Sequence, residues 1–322
     1  MKKIAILSAL FVLLAVSVVI SLRMGAVDIG FGEVFRALRN PDGAFLIREV
    51  RLPRVVLGLL TGAALALSGA VLQSLMRNDL ASPEILGVSS GGALAYVWVI
   101  LIFPALSNWS LLVAFSGSLA AALLVWMLAW KRGLEPLRLV LSGVAVSAFA
   151  SALATGVVYS HADRIAGVLN FLSGSLATAS WPRVELVLPW IAAGAVFICF
   201  RARALDVIAL GDETASALGL RVELARFTLL AASALLAASG VVAAGLLGFV
   251  GLVAPHLARL MIGSAHRWLL PAAAATGGTL VVLGDAAGRA LFAPHELPAG
   301  IVMALIGAPF FLYLLRRGGR AA

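Results

Sequence analysis

The sequence predicts an all-α polytopic membrane protein with about ten transmembrane helices. Hydrophobic residues make up 62% of the 322 residues and charged residues only 12%, against roughly 45–50% and about 25% in soluble chains. The apolar residues also form long uncharged runs, near the roughly 20 residues that a helix needs to cross a bilayer. Runs of this length favour helices over a barrel, whose strands alternate over about ten residues. The composition therefore excludes a soluble, disordered or nucleic-acid-binding protein.

Eight uncharged runs supply these helices, and two of the runs are long enough for two helices each. Residues 104–108 interrupt the third run, and glycines break the sixth, which has a tail to Met261. The eight runs therefore predict ten helices. The runs are 4–22, 55–76, 85–130, 139–162, 186–200, 227–258, 268–284 and 297–315.

The first run, 4–22, follows Met1-Lys2-Lys3 and has two interpretations. A basic start before an apolar run is also typical of a cleaved signal peptide. The run of 19 residues is long for a signal peptide, and Leu22-Arg23-Met24 lacks the small residues of a cleavage site. We therefore interpret it as the first transmembrane helix, with a cleaved leader as the alternative.

The basic residues predict the orientation, because Lys and Arg are enriched in cytoplasmic loops. With the N-terminus inside, 15 of the 24 basic residues lie on the cytoplasmic side. An even number of helices then predicts that the N and C termini are both cytoplasmic. Six arginines in the connection 23–54 would lie outside, against this rule, and require another explanation.

Two short segments suggest an internal repeat. Residues 66–71 (Ala-Leu-Ser-Gly-Ala-Val) resemble residues 237–242 (Ala-Ala-Ser-Gly-Val-Val), which lie 171 residues further on, close to half the chain. Because five helices per half is an odd number, duplicated halves would form an inverted five-helix repeat, as in many transporters. Chance similarity between two Ala- and Gly-rich helices is the alternative interpretation.

Two polar segments on the predicted inner side are longer than simple turns require. In residues 77–91, Pro83 and Gly87 keep part of the backbone non-helical, which is tolerated at membrane depth only against protein or a water-filled path. In residues 204–221, Asp212 is predicted to cap a short helix. A helix of mixed polar and apolar character suits docking into another protein's groove, and a helix lying on the bilayer surface is the alternative.

An outer cluster of arginines forms a positive patch suited to acidic partners or substrates. The cluster comprises Arg48, Arg51, Arg54 and Arg289. Asp285 lies four residues before Arg289, so a simple ion pair on one helix is the alternative interpretation.

The chain lacks the signatures of an energy source or of catalysis. None of its three lysines lies in a Gly-x-x-x-x-Gly-Lys-Ser/Thr motif, so it has no P-loop for ATP hydrolysis. No charged residue lies in the middle of an apolar run, where ion-coupled carriers usually keep one. The four histidines have no metal-ligand spacing. We therefore predict no catalytic site, no metal site and no cofactor in this chain.

Six motifs occur in order along nearly the whole chain. They are Arg51-Leu52-Pro53-Arg54; 62–73; 77–83 with 86–91; Leu210-Gly211-Asp212 with Leu218-Gly219; 248–256; and 296–298 with 306–311. Together they resemble the permease subunits of the iron-siderophore, haem and vitamin B12 class of bacterial ABC importers, above all those of the ferric citrate type. This chain has Asn78-Asp79 where the family usually has Asn-Pro.

The resemblance implies a single transmembrane permease domain, residues 1–322, in the bacterial inner (cytoplasmic) membrane. Its implied partners are a second permease subunit, two cytoplasmic ABC ATPase subunits that bind ATP and Mg, and a periplasmic substrate-binding protein. A paralogue is favoured over a self-dimer for the second permease. The implied cargo is an iron-siderophore complex, ferric citrate or similar, with haem or vitamin B12 as alternatives. An ion-coupled secondary carrier is the alternative class.

The resemblance also assigns roles to individual residues. Helix five, about 139–158, would line the pathway. The residues that would dock the binding protein are Arg51, Arg54 and Arg289. Those of the inner gate are Asn78, Leu80, Ser142 and Gly143. Those that would couple to the ATPase, in short helices at about 204–221, are Leu210, Gly211, Asp212, Glu213, Ala215, Leu218 and Gly219.

Overall fold

The computed structural model describes residues 2–25, 30, 32–34, 39, 45–130, 135–291 and 295–318. These residues are almost entirely helical, and no strand occurs among their secondary-structure elements. The α-helices are α1 (Lys2–Arg23), α2 (Leu52–Met76), α3 (Val88–Ile102), α4 (Ser110–Ala129), α5 (Pro136–Ser160), α6 (Ala166–Leu172), α7 (Trp181–Phe200), α8 (Ala202–Ala209), α9 (Asp212–Ala217), α10 (Val222–Ala244), α11 (Val250–Ile262), α12 (His266–Leu291) and α13 (Ala299–Gly318).

Seven helical segments in the described residues are long and apolar enough to cross a membrane, and three shorter apolar helices accompany them. The shorter helices are Val88–Ile102, Val250–Ile262 and Ala299–Leu312. The all-α fold class is therefore confirmed. That ten helices cross, and that both termini are cytoplasmic, stay predictions.

Both predicted interruptions of long apolar runs are present. A 3-10 helix, Pro104–Trp109, separates α3 from α4. Helix α10 ends at Ala244, before Gly245 at φ 76°, and α11 begins at Val250. A side chain at Gly245 would meet the Phe171 carbonyl oxygen at 2.2 Å. This glycine is therefore required by both its backbone conformation and the close approach of another segment.

Helices α2, α10 and α12 form the centre of the bundle, each with 78% of its most apolar window buried. The Ser68 hydroxyl on α2 lies 2.8 Å from the Ser233 hydroxyl on α10. Gly62 packs against Gly277 on α12 so closely that a Cβ on Gly62 would lie 2.2 Å from the Gly277 carbonyl oxygen. Small residues permit this separation of the backbones, as in other membrane helix pairs.

The two segments of the proposed repeat lie in these central helices, 66–71 in α2 and 237–242 in α10. By contrast, the apolar windows of α4, α5 and α7 are only 28% buried. These outer helices expose apolar side chains, which suits contact with lipid or with another membrane protein.

Candidate functional site

At one end of the bundle, the outer arginines form a buried cluster around Asp285. The Arg54 guanidinium, at the start of α2, donates two parallel hydrogen bonds to the Asp285 carboxylate, both 2.9 Å long. A third N–H of Arg54 donates to Glu296 at 2.8 Å. Arg289 also donates to Asp285, at 3.1 Å. Bidentate arginine–carboxylate pairs of this kind are strong and directional.

Two arginines of this cluster, Arg51 and Arg289, contact the C-terminal end of α1. The Arg51 guanidinium donates to the carbonyl oxygens of Leu22 and Arg23, both at 2.7 Å. Arg289 donates to the Met24 carbonyl oxygen at 2.6 Å and to the Ser21 hydroxyl at 2.8 Å. Carbonyl groups at a helix end have no partner within the helix, and these arginines supply one.

The structure thus brings the three predicted docking arginines together, and it contains the Asp285–Arg289 pair given as the alternative. A cavity of about 150 Å³ is lined by Arg51, Arg54, Arg289 and Glu296. Arg51 is only 6% and Arg289 only 5% exposed. Their contacts to α1 and Asp285 give both a structural function, and docking of a binding protein stays a prediction.

At the predicted inner side, the turn after α2 is stabilised by side-chain contacts. Arg77 ends the helix in the left-handed conformation, with φ 49°. The Asn78 side-chain oxygen accepts a 2.9 Å hydrogen bond from the Leu80 backbone N–H. Asp79 forms an ion pair with Arg259 of α11. Arg259 also donates to Gln73 on α2 at 3.1 Å, so one arginine of α11 contacts both the turn and α2.

Of the other predicted gate residues, Gly143 is in the tightest contact. A Cβ added at Gly143 would lie 1.7 Å from the Ile85 carbonyl oxygen. Ile85 belongs to the short 3-10 helix Pro83–Leu86, which follows the inner turn. Helix α5 therefore packs directly on the segment that contains Asn78 and Leu80, while Ser142 beside Gly143 is half-buried.

The predicted coupling segment forms two short helices, α8 and α9, within 202–217. The prediction that Asp212 caps a helix is wrong. Gly211 occupies the cap position at φ 106°, and Asp212 is the first helical residue without a side-chain cap bond. The Asp212 carboxylate instead accepts a 2.7 Å hydrogen bond from Arg226 and lies 3.6 Å from Arg77. Hydrogen bonds between ionised partners of this kind are roughly twice as strong as neutral ones.

The apolar residues of this segment divide between the core and the surface. Ala215 is fully buried, whereas Leu210 and Leu218 are each 63% exposed. Glu213 and Gly219 are also exposed. Two exposed leucines at the ends of a short polar helix are available to a partner's groove.

Sequence reasoning missed a cluster that joins this segment to the bundle. Asp206 of α8 accepts a 2.9 Å hydrogen bond from the backbone N–H of His266, the first residue of α12. It also lies 2.6 Å from His266 Nδ1, and Ser74 on α2 lies 2.5 Å from Nε2. No sequence pattern signals it, because Asp206 and His266 are 60 residues apart and lie on different helices. His266 is the first residue of α12.

Beside α5 lies a larger cavity of about 400 Å³. It follows α5 from Ser147 to Val158, a length of about 16 Å at 1.5 Å per residue. The other walls are α3, the 3-10 helix Pro83–Leu86, and Leu172 with Leu246. Helix α5 thus borders a cavity, and that it lines a transport pathway stays a prediction. The sequence did not single out Glu84, Ser89 or Ser90 as lining residues.

The described residues contain no group of three or more His, Cys, Asp or Glu side chains that could hold a metal ion.

A comparison with family models matches the FecCD transport family over residues 13–317. The chain belongs to the FecCD transport family.

Individual relatives of this FecCD-family chain cover nearly its whole length. It is 41% identical to the Fe(3+)-citrate import system permease protein YfmE of Bacillus subtilis, over 95% of this chain and 93% of the relative. It is 38% identical to the iron(3+)-hydroxamate import system permease protein FhuG of the same organism, over 98% of each chain. A solved structure described as an inward-facing conformation of a metal-chelate type ABC transporter is also similar. Its TM-score is 0.83, with 31% identity, and the match covers 98% of this chain and 99% of that chain.

Proposed function

We propose that this chain is the permease subunit of an ATP-driven importer, which passes an iron-siderophore complex from the periplasm to the cytoplasm by alternating access. The observation that carries the proposal is the position of Asp212. It lies in a short helix with exposed leucines at both ends and contacts Arg77, the first residue of the inner turn. The exposed helix α9 is thereby linked to the turn that contains the predicted gate residues, and the chain belongs to a transport family.

The energy source in this proposal is a pair of ABC ATPase subunits, which bind ATP and Mg on the cytoplasmic side. Leu210 and Leu218 would enter a groove on the ATPase, while Ala215 anchors the helix in the permease. Closure of the ATPase dimer moves α8 and α9. Asp212 and Asp206 then transmit the motion to the inner turn and to α12, through their contacts with Arg77 and His266.

On the periplasmic side, the proposal retains the cluster around Asp285 as the region that meets a binding protein. Arg54 is the best placed of the three arginines, since its side chain is 11% exposed and its ion-pair partner Glu296 is 40% exposed. Acidic side chains of a partner would compete with Glu296 for this guanidinium, which lies at the rim of the 150 Å³ cavity.

The second permease subunit, a paralogue or another copy, would face α5. Many side chains on α5 are exposed, among them Leu141, Val144 and Phe149 at 60–68%, and its hydroxyl-bearing side borders the large cavity. Two such cavities facing each other would form one pathway across ten helices of each subunit. The complex would lie in the inner membrane of a bacterial cell. Both termini of this chain would then be cytoplasmic.

For the cargo, we propose an iron-siderophore complex, with ferric citrate or a similar chelate in first place because YfmE is an Fe(3+)-citrate permease protein. Haem and vitamin B12 are the alternatives within the family. An ion-coupled secondary carrier is the alternative class. It requires transport without an ATPase and a charged residue within the membrane.

The test is purification of the full chain from its native membrane in mild detergent, with mass spectrometry of every retained protein. We expect a P-loop ATPase at near-equal stoichiometry and loss of that ATPase with Leu218→Glu. Arg138→Ala is the control and should retain the ATPase. Arg138 is exposed on the same predicted side, and its ion pair among the described residues is with Glu135. A wild-type chain that purifies without any ATPase would contradict the proposal and favour the ion-coupled carrier.

A further inference from the structure

The 400 Å³ cavity beside α5 has polar walls of an unusual composition. Its polar lining consists of five hydroxyl groups and one carboxylate, and no Arg, Lys or His lies among the lining residues that the structure describes. The hydroxyl residues are Ser89, Ser90, Ser147, Ser151 and Thr155. The one formal charge among these described lining residues is therefore negative.

The carboxylate belongs to Glu84, in the 3-10 helix Pro83–Leu86. It is half-buried, yet none of the described residues forms a hydrogen bond or an ion pair with its side chain. Its Oε1 atom lies next to Gly248, where an added Cβ would be 3.9 Å away. By contrast, Asp79 within the inner turn and Asp212 of α9 are each paired with arginine. Glu84 thus lines the cavity without an arginine partner among the described residues.

Three of the hydroxyls form a row on α5. Ser147, Ser151 and Thr155 are four residues apart, so they lie on one face of the helix. None of the three hydrogen-bonds to a carbonyl one turn earlier or to any other described residue. By contrast, the Thr276 hydroxyl on α12 donates to the Ala272 carbonyl oxygen at 2.8 Å. These three hydroxyls are therefore available to a hydrated or polar solute, whereas the Ser90 hydroxyl donates to the Gly87 carbonyl oxygen at 3.0 Å.

We infer that this cavity passes neutral or cationic, hydrogen-bonding chelates in preference to anionic ones, and that Glu84 determines the preference. The inference rests on the proposed function and refines its cargo. Iron(III) held by three singly charged hydroxamate groups is a neutral core, whereas iron(III) held by two citrate trianions keeps a net negative charge. The unpaired carboxylate repels the negatively charged citrate complex, and the hydroxyls form hydrogen bonds with the neutral hydroxamate complex. Within the proposed siderophore class, this inference places a hydroxamate-type chelate above ferric citrate, and so reverses the order that the similarity to YfmE suggests.

The test measures the potential in the cavity with charged thiol reagents. Cys199 is the only cysteine, so Ser151→Cys in a Cys199→Ser background places one thiol of this chain at the cavity. The intact complex in proteoliposomes is treated with a trimethylammonium or a sulfonate methanethiosulfonate. Mass spectrometry of this chain then gives each rate relative to that of a free thiol. We expect the cationic reagent to be favoured about threefold to tenfold, as for one nearby charge in a partly hydrated site.

Variants of Glu84 separate its charge from its shape. Glu84→Gln should bring the normalised ratio close to one, and Glu84→Lys should reverse it. Glu135→Gln removes an exposed carboxylate elsewhere on the predicted inner side and should leave the ratio unchanged. A wild-type ratio near one, or a ratio that Glu84→Gln does not alter, would overturn the inference.

A second measurement distinguishes this inference from the function on which it rests. ATP-driven uptake of radioactive iron is compared for a hydroxamate chelate and for citrate, each with its binding protein. Glu84→Lys should raise citrate uptake relative to hydroxamate uptake severalfold, and an unchanged ratio counts against the inference. A wild-type complex that imports no ferric chelate, while the thiol ratio depends on Glu84, would contradict the proposed function alone.

Discussion

The Asp206 carboxylate binds His266 twice, accepting a 2.9 Å hydrogen bond from its backbone N–H and a 2.6 Å hydrogen bond from ring Nδ1. The first bond satisfies an N–H at the start of α12, where no carbonyl within the helix is available. The second orients the ring so that Nε2 lies 2.5 Å from the Ser74 hydroxyl. One side chain of α8 is thereby joined to α12 and, through His266, to α2.

We expect Asp206→Ala to lower the stability of the permease by about 1–2 kcal/mol, as for the loss of a helix cap with its hydrogen bonds. If α8 transmits motion from an ATPase, the variant should also reduce the amount of cargo moved per ATP hydrolysed. Thermal unfolding in detergent measures the first effect, and parallel uptake and hydrolysis assays measure the second. Ser74→Ala keeps the Asp206–His266 contact and should affect coupling less. An unchanged ratio of uptake to hydrolysis would contradict the role of α8.

A double-mutant cycle should show that Asp212 interacts more strongly with Arg226 than with Arg77. The Arg226 contact is 2.7 Å long, and the Arg226 side chain is only 5% exposed. The Arg77 contact is 3.6 Å long, and both of its side chains are nearly half exposed. Exposed pairs contribute about 0–1 kcal/mol, and a shorter pair with a buried arginine is screened less by water. Measured unfolding of the single and double alanine variants gives both coupling energies, and equal values would contradict this ranking.

Replacement of Arg51 and Arg54 with Glu should abolish docking of the binding protein, as measured by affinity for the reconstituted complex. Undiminished docking would count against the docking role. Because both arginines also hold α1 or Asp285, a stability control is required. Asp285→Asn leaves two arginines without their shared carboxylate and should destabilise the chain by about 3–5 kcal/mol. Loss of docking that follows stability alone in all variants would assign these residues a structural function only.

Gly143→Ala should disturb the inner gate, because its methyl group would overlap the Ile85 carbonyl oxygen. Relief requires movement of α5 or of the segment Pro83–Leu86, and we expect a loss of about 1–3 kcal/mol in stability together with slower uptake. Gly156→Ala on the same helix is the matched control, since nothing lies within 4 Å of its added Cβ. That control should be neutral or stabilising by about 0.5–1 kcal/mol. Equal effects of the two substitutions would rule out the close contact as the cause.

The positions of the long helices could be predicted from the sequence for a physical reason. In a bilayer each backbone N–H and C=O must be satisfied within its own helix, and the side chains that face lipid must be apolar. A transmembrane helix is therefore visible in the sequence as an uncharged run. The breaks at 104–108 and near Gly245 are equally local, because proline and glycine act on their own backbone. The family resemblance rests on contiguous motifs, and for that reason it was also accessible.

The partners of the polar side chains depend on packing between helices that are distant in sequence. Arg54 and Asp285 are 231 residues apart, and no local pattern indicates that their side chains meet or that Arg51 and Arg289 are buried. For the same reason the sequence assigned Asp212 to a cap, although the folded chain brings Arg226 to it. In the sequence, Glu84 is one residue of a polar segment. In the folded chain it lies beside α3 and α5 and lines the cavity. Hydropathy and backbone chemistry thus determined the helices of this protein, and the three-dimensional packing of those helices determined which charges are paired and which one faces the cavity.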